Sequence, residues 1–185
     1  YVDQNEDGVM DDEDRINLGD PHPDFTVGLN LNFAYKNFDL SMFWYGVVGN
    51  QIVNATRRYD LPNANYQTSV LDRWTGEGST NKTPKVSWSD NNNNRGDFSD
   101  FMVEDADYLR LKNIQLGYSL PKSVLNRLNI EKFRLYVSGD NLLTFTKYSG
   151  LEPEIGNTGD VFRTGIDQGV YPQARVFTIG ANITF

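Results

Sequence analysis

The chain has 185 residues, 17 Lys+Arg against 25 Asp+Glu for a formal charge of −8, no cysteine and one histidine. The length suits one domain or a piece of one. The acidic balance, with no basic stripe, excludes nucleic acid as a natural partner, and the lack of thiols removes disulfides and thiolate metal sites.

Aromatic residues make up 13% of the chain, yet mean hydropathy is −0.54. No apolar run approaches the roughly 18 residues of a membrane helix, but a membrane strand needs only about 9–11 tilted residues, half of them polar, so strands in a bilayer stay open. The chain begins at Tyr1 with neither an initiator methionine nor a signal peptide, and is expected to be a mature or internal piece.

The first candidate element is acidic: Asp3-Gln4-Asn5-Glu6-Asp7-Gly8-Val9-Met10-Asp11-Asp12-Glu13-Asp14. Read as a twelve-residue calcium loop, it offers oxygens from Asp3, Asn5, Asp7, the Val9 carbonyl, Asp11 and Asp14, with Gly8 at the sharp turn. Calcium is a hard ion that takes several oxygens, so carboxylates clustered about a tight turn suit it. Asp14 stands where an EF-hand has glutamate, which shortens that ligand's reach, and no flanking helix pattern is visible. The competing reading is an acidic, solvated turn. His22, between Pro21 and Pro23, finds no second histidine or cysteine for zinc and is read as a loop residue.

From Phe25 to Tyr35 the chain alternates, with Phe25, Val27, Leu29, Leu31, Phe33 and Tyr35 on one face. After Lys36-Asn37 the apolar set moves to Phe38, Leu40, Met42 and Trp44. A two-residue hairpin loop at Lys36-Asn37 pairs Tyr35 with Phe38, Phe33 with Leu40, Leu31 with Met42 and Leu29 with Trp44, so both strands show their apolar sets to one side.

Over 49–105 the periodicity fails among Asn, Asp, Ser, Thr and Gly, and a long surface loop without clear strands is expected, since compact soluble domains use connections of about 4–6 residues. A third strand over 108–120 has Ile114, Leu116, Tyr118 and Leu120 in one phase and Leu109 and Leu111 in the other, which predicts a bulge near Lys112-Asn113. A helical turn over 123–128 then precedes a fourth strand with Phe133, Leu135, Val137, Leu143 and Phe145 on one face and Arg134, Tyr136, Ser138 and Asp140 on the other. A polar loop over 147–172 leads to a terminal strand whose row Phe177, Ile179, Ala181, Ile183, Phe185 is expected to meet hydrocarbon.

Connections alternate long and short, as in outer-membrane barrels with short periplasmic turns and long external loops. The turns at 36–37 and 121–130 are then periplasmic, and segments 1–24, 49–105 and 147–172 external. Since the smallest such barrels have about eight strands, the five read here are part of a larger one.

No phosphate loop, nucleophilic triad or dinucleotide fingerprint appears, so no enzyme is expected. The carboxylates Asp97, Asp100, Glu104, Asp105, Asp107, Glu152 and Glu154 are read as solvated loop charge rather than a glycosidase pair. Tyr35, Phe38 and Phe185 sit at strand ends on the apolar face, where interfacial rings anchor barrels. Phe43, Tyr45, Tyr66, Trp74, Trp88 and Tyr136 have the chemistry to stack on sugars or peptides, although loop packing is the commoner role.

Several blocks in order carry a resemblance: 3–14 followed by Gly19-Asp20-Pro21 and Pro23; Phe25-Thr26-Val27-Gly28-Leu29-Asn30 through Tyr35-Lys36-Asn37-Phe38-Asp39-Leu40-Ser41; Gly46 and Gly49-Asn50; and Leu71-Asp72-Arg73-Trp74. They continue in Tyr108-Leu109-Arg110-Leu111-Lys112-Asn113-Ile114 with Leu116-Gly117-Tyr118, Asn141-Leu142 through Thr146-Lys147-Tyr148, Gly150-Leu151-Glu152-Pro153-Glu154, Tyr171-Pro172 and the terminal strand. Over nearly its whole length the chain resembles the C-terminal barrel part of SusC/RagA-type TonB-dependent outer-membrane transporters.

The resemblance implies an all-β, antiparallel transmembrane barrel of about 22 strands in the bacterial outer membrane, importing oligosaccharides or peptides. It implies a SusD-like surface lipoprotein, TonB acting through an N-terminal part with a plug, and lipid around the wall. It also implies a terminal strand ending at Phe185 that the barrel assembly machinery reads. The different-class alternative is a secreted, calcium-stabilised β-sandwich that binds glycans, whose apolar face a second sheet must cover.

Overall fold

The computed structural model describes residues 2–9, 11–57, 65–66, 68–86, 99–128, 130–155 and 164–185. Its main element is a five-stranded antiparallel sheet built from β1 (Phe25–Tyr35), β2 (Phe38–Val48), β5 (Tyr108–Ser119), β6 (Lys132–Thr146) and β8 (Val176–Thr184), in the spatial order β1-β2-β5-β6-β8. The intervening short strands are β3 (Gln51–Asn54), β4 (Val103–Asp105) and β7 (Ile166–Asp167).

The first hairpin has the register expected from the alternation, Tyr35 opposite Phe38, Leu31 opposite Met42 and Leu29 opposite Trp44. Lys36 turns the chain with φ +54, a positive value of the kind that two-residue hairpin loops use to match strand twist. The bulge is also where the change of phase puts it. Asn113 faces Phe43 and Leu111 faces Trp44, so Lys112 is the extra residue against β2. That extra residue returns Leu109 and Leu111 to the face that carries Ile114, Leu116 and Tyr118, and the apolar surface continues without a break. Against β6, Leu111 pairs with Leu143 and Asn113 with Asp140.

β8 pairs along β6 from Lys132–Thr184 to Asp140–Val176. β1 and β8 are the two outer strands, and the sheet is not closed on itself. At the hairpin end, α1 (Lys122–Leu128) forms the expected helical turn. The Val124 and Leu125 amides donate to the Pro121 carbonyl at 3.0 and 3.2 Å, and the Ser119 amide donates to the Asn37 carbonyl at 2.8 Å.

The sheet is inside out by the standard of a water-soluble domain. Phe25, Leu29, Phe33, Leu116, Leu135, Val137, Phe145, Phe177 and Ile179 are all exposed, while Arg110 and Glu152 are buried. Each inner strand pairs with a neighbour on both sides, the kind of strand-to-strand satisfaction that hydrocarbon requires.

Two compact units divide the chain. The first gathers Tyr1–His22, Asn50–Asp105 and Glu154–Val170; the second contains the five-stranded sheet. Within the first, β4, β3 and β7 form a three-stranded sheet in that order. β3 is antiparallel to β4 and parallel to β7, with Val53 opposite Ile166. The 49–105 stretch, expected to lack clear strands, therefore holds two short ones. They are too short to show a period, and their partners are distant in sequence.

Candidate functional site

The face of the large sheet opposite the apolar one carries its polar chemistry. At the hairpin end, Asp39 of β2 lies beside Gly117 of β5, Tyr136 of β6 and Gly180 of β8, neighbours across four strands. Arg134 reaches back over this row. Its Nε donates to Asp39 Oδ1 at 2.9 Å, a second nitrogen pairs with Asp39 Oδ2, and Gln115 Oε1 accepts at 3.1 Å. The guanidinium also lies 5.3 Å from the Tyr136 ring centre. Gly117 and Gly180 leave the space this needs: a side chain at Gly117 would run into Arg134 and Asp39, and one at Gly180 into the Tyr136 ring.

At the other end of the same sheet, Arg110 Nε donates to Thr144 Oγ1 at 2.9 Å, and its guanidinium pairs with Glu152 while lying 5.5 Å from the Tyr108 ring centre. The second oxygen of Glu152 accepts the Gln173 amide at 2.9 Å. Glu152 precedes the 154–170 excursion and Gln173 follows it, so one carboxylate fastens both ends to β5. Glu152 was expected among the solvated loop charges; it is instead one of the most buried side chains described, at 2% exposure. Sequence reasoning misses it because its cation lies 42 positions away. The one local hint is the rigid Glu-Pro step at Glu152-Pro153.

Of the other carboxylates in that group, Glu104 pairs with Arg57 at 3.4 Å and accepts from Asn54 at 3.0 Å. Asp107 Oδ1 caps the Gly49 amide at 2.7 Å. Asp97 and Trp88 lie outside the described residues. Among the rings, Trp74 sits on a tight loop where its amide donates to the Thr83 carbonyl at 2.9 Å and Lys85 lies 6.0 Å from its centre. Tyr45 packs at 6.3 Å against Tyr108. On the apolar face Phe38 packs against Tyr118 with ring centres 4.7 Å apart and planes tilted by 49°, and Tyr35 and Phe185 are exposed.

The acidic segment folds as a closed loop. Asp3 Oδ2 accepts the Gly8 amide at 2.8 Å, Asn5 Oδ1 that of Asp7 at 3.1 Å, Asp7 Oδ1 that of Val9 at 2.7 Å, and Asp11 Oδ1 that of Glu13 at 2.9 Å. Asp14 closes the ring by accepting the Gln4 amide at 2.6 Å and the Asp11 amide at 3.0 Å. Gly8 turns with φ +83. The Gln4 amide, with Asp11 second, holds the Asp14 carboxyl below its ordinary value. A short 3-10 turn (Asp12–Asp14) follows, not an EF-hand helix.

Asp3 Oδ1 is shut off from solvent and has no hydrogen-bond partner, an orphan acceptor that a hard cation would satisfy. Among the described residues no three carboxylate or imidazole side chains converge as a ready-made metal group. The fit to calcium therefore rests on the mixed set of Asp, Asn and backbone carbonyl oxygens and on the Asp3 orphan. His22 Nδ1 lies 2.9 Å from Asp20 Oδ1, exposed, as a loop residue. The His22 amide, then its ring, keeps the Asp20 carboxyl below its ordinary value.

Known proteins resemble this chain in sequence and in fold. The TonB-dependent receptor P3 of Formosa agariphila is 36% identical over all of the chain, which spans 19% of that receptor. SusC of Bacteroides thetaiotaomicron, a TonB-dependent receptor, is 28% identical, again over the full chain. The chain is SusC-like. It spans about a fifth of the length of the curated relatives it matches. No family model matches it.

Among solved structures, a chain of the RagAB peptide importer in its open-open state superposes with a TM-score of 0.70 at 28% identity, covering 88% of this chain and 17% of that one. The closed-closed state gives 0.71 at 27% identity, covering 89% and 18%. The chain is thus a SusC-like fragment of the outer membrane, and its five strands belong to a barrel that they do not close. The relatives are receptors and transporters by name, not enzymes.

Proposed function

We propose that this SusC-like chain supplies wall strands and loops to an importer that takes up oligosaccharides or peptides across the outer membrane. In this reading TonB drives the cycle through an N-terminal part carrying a plug, and a SusD-like lipoprotein closes the barrel outside. The observation that carries it is the two-faced sheet, with exposed hydrocarbon on one side and charge-paired polar groups on the other. Such a sheet separates lipid from a polar passage. The names of the relatives, a receptor dependent on TonB and an importer of peptides, support the same reading.

Residues 1–24, 49–105 and 147–172 are the external segments of this proposal, and the 36–37 and 121–130 turns are periplasmic. Phe185, exposed at the end of the apolar row, is the residue the assembly machinery reads. Cells deleted for the complete receptor should stop accumulating one class of fluorescent oligosaccharide or oligopeptide, and dissipating the proton-motive force should abolish that uptake in wild-type cells. Uptake of every such cargo at wild-type rate in the deletion strain would overturn the import reading.

The 3–14 loop is proposed to hold calcium, which would stiffen an external segment. Its ligands would be Asp3, Asn5, Asp7, the Val9 carbonyl, Asp11 and Asp14, and Asp3 Oδ1 supplies the orphan that supports it. Calcium at a hundred times its dissociation constant should raise unfolding stability by about 2.7 kcal/mol. Removal by chelator should reverse this, and Asp7→Ala should abolish the response. An unchanged melting temperature and no bound ion by calorimetry would sink the calcium proposal.

A further inference from the structure

The apolar face is not uniform. Toward the ends of the strands away from the Lys36-Asn37 turn, Val27, Leu29, Trp44, Leu109 and Phe145 enclose a groove of about 280 Å³ with no polar lining. Trp44 and Phe145 stack across it with centres 6.3 Å apart. The register explains the depression. Val27, Gly46, Leu109 and Phe145 follow the strand pairing from β1 through β2 and β5 to β6, and glycine leaves the row without a side chain at its second place. Even one carbon at Gly46 would lie 3.0 Å from Val27 Cγ1 and 3.4 Å from Leu109 Cδ1. Val27 and Leu109 thus occupy the space that a side chain at Gly46 would take.

We propose that this groove is a seat for one acyl chain of a membrane lipid, retained specifically rather than exchanging with the bulk bilayer. The groove is continuous with a face that the outer-membrane location places against lipid. Its lining offers no donor or acceptor that a peptide or sugar needs, and its two stacked rings form a rigid wall against which a flexible chain can lie. A chain seated there exchanges one hydrocarbon surrounding for another, so its preference comes from packing against the rigid rings and not from the release of water. The inference rests on the membrane location and not on the cargo, so failure of the import reading leaves it standing.

The test uses the complete receptor in mild detergent, titrated with phosphatidylcholine brominated on its acyl chains, a contact quencher of tryptophan. The Trp44 signal is the difference between wild type and Trp44→Phe. Quenching is expected to saturate near one lipid per receptor chain, and native mass spectrometry should find one retained lipid. Val27→Trp, which fills the groove from an exposed position, should lower the retained-lipid count by roughly tenfold while heat-modifiable gel migration stays normal. Quenching that climbs without saturation, or a lipid count unchanged in Val27→Trp and in Leu109→Trp, overturns the seat. Loss of receptor self-association in Val27→Trp with no change in lipid would also overturn it, assigning the groove to a second copy.

Discussion

In the five-stranded sheet the large apolar side chains are the exposed ones, Phe177 at 74% and Ile179 at 83%, while the charged pair Arg110–Glu152 is buried. In the unit with the three-stranded sheet the buried set is Ile52 together with Asn50, Asn54 and Asp167, almost all polar. Among the described residues both regions bury few large apolar side chains. The large sheet is held by strand pairing and leaves its hydrocarbon for a solvent that is not water. The smaller unit is held by side-chain-to-backbone hydrogen bonds, such as Asp167 Oδ1 accepting the Gly169 and Val170 amides at 2.8 and 2.9 Å.

The contrast is broken most severely at Glu152. Truncating it removes the buried carboxylate that pairs with Arg110 and accepts the Gln173 amide, so Glu152→Ala should destabilise the fold by about 3–5 kcal/mol. The double change Arg110→Met with Glu152→Leu should recover most of that loss, because an apolar pair replaces both buried charges together. Unfolding in detergent, followed by loss of heat-modifiable migration, measures both. Equal damage in the single and double variants would show that the pair is not the cause.

A second comparison uses neighbours on β8. Ile179→Lys places a charge on the lipid-side face and should cost about 2–4 kcal/mol near the bilayer midplane. Thr178→Lys, one residue away on the polar face, should stay within about 1 kcal/mol, since that face is not against lipid. Folding into vesicles under denaturant titration compares them, and equal costs would contradict the assignment of the two faces.

The acidic loop responds to pH in a direction its geometry sets. Because Asp14 titrates below its ordinary value when folded, the stability it lends is complete above the unfolded value of about 4 and is lost as pH falls through the lowered folded one. Hydrogen exchange over 3–14, corrected for intrinsic rates, should therefore rise below that window in wild type, and Asp14→Asn should flatten the pH response. Opening of the wild-type loop near neutral pH would show that Asp14 does not close it.

What was readable in the sequence follows the length of each periodic segment. β1 and β2 run eleven residues each, enough alternation to fix strand, face and register together, and the change of phase between Leu111 and Ile114 was enough to place the bulge. β7 has two residues and β4 three, and no period can be seen in so few. The Arg110–Glu152 pair was hidden for another reason. Both residues look like ordinary surface charge, and only the fold brings them into one buried space. The acidic segment was legible as a tight loop around Gly8, which Asp14 closes, whereas the buried Asp3 oxygen needed coordinates.

The smallest effect tests whether the turn or the strands fix the first hairpin. Lys36 sits at φ +54, which costs a residue with a Cβ about 1–2 kcal/mol. Lys36→Gly removes that strain but loosens the unfolded chain by about 0.4–1 kcal/mol. It also deletes the ammonium lying 5.2 Å from the Tyr35 ring centre, worth about 0.5–1 kcal/mol at an exposed site. These terms nearly cancel, so Lys36→Gly should shift stability by less than about 1 kcal/mol, whereas Lys36→Val, with a branched carbon in the same conformation, should lose more. If Lys36→Gly instead cost over about 2 kcal/mol, the lysine side chain, and not the eleven-residue alternation on either side, would be holding the register.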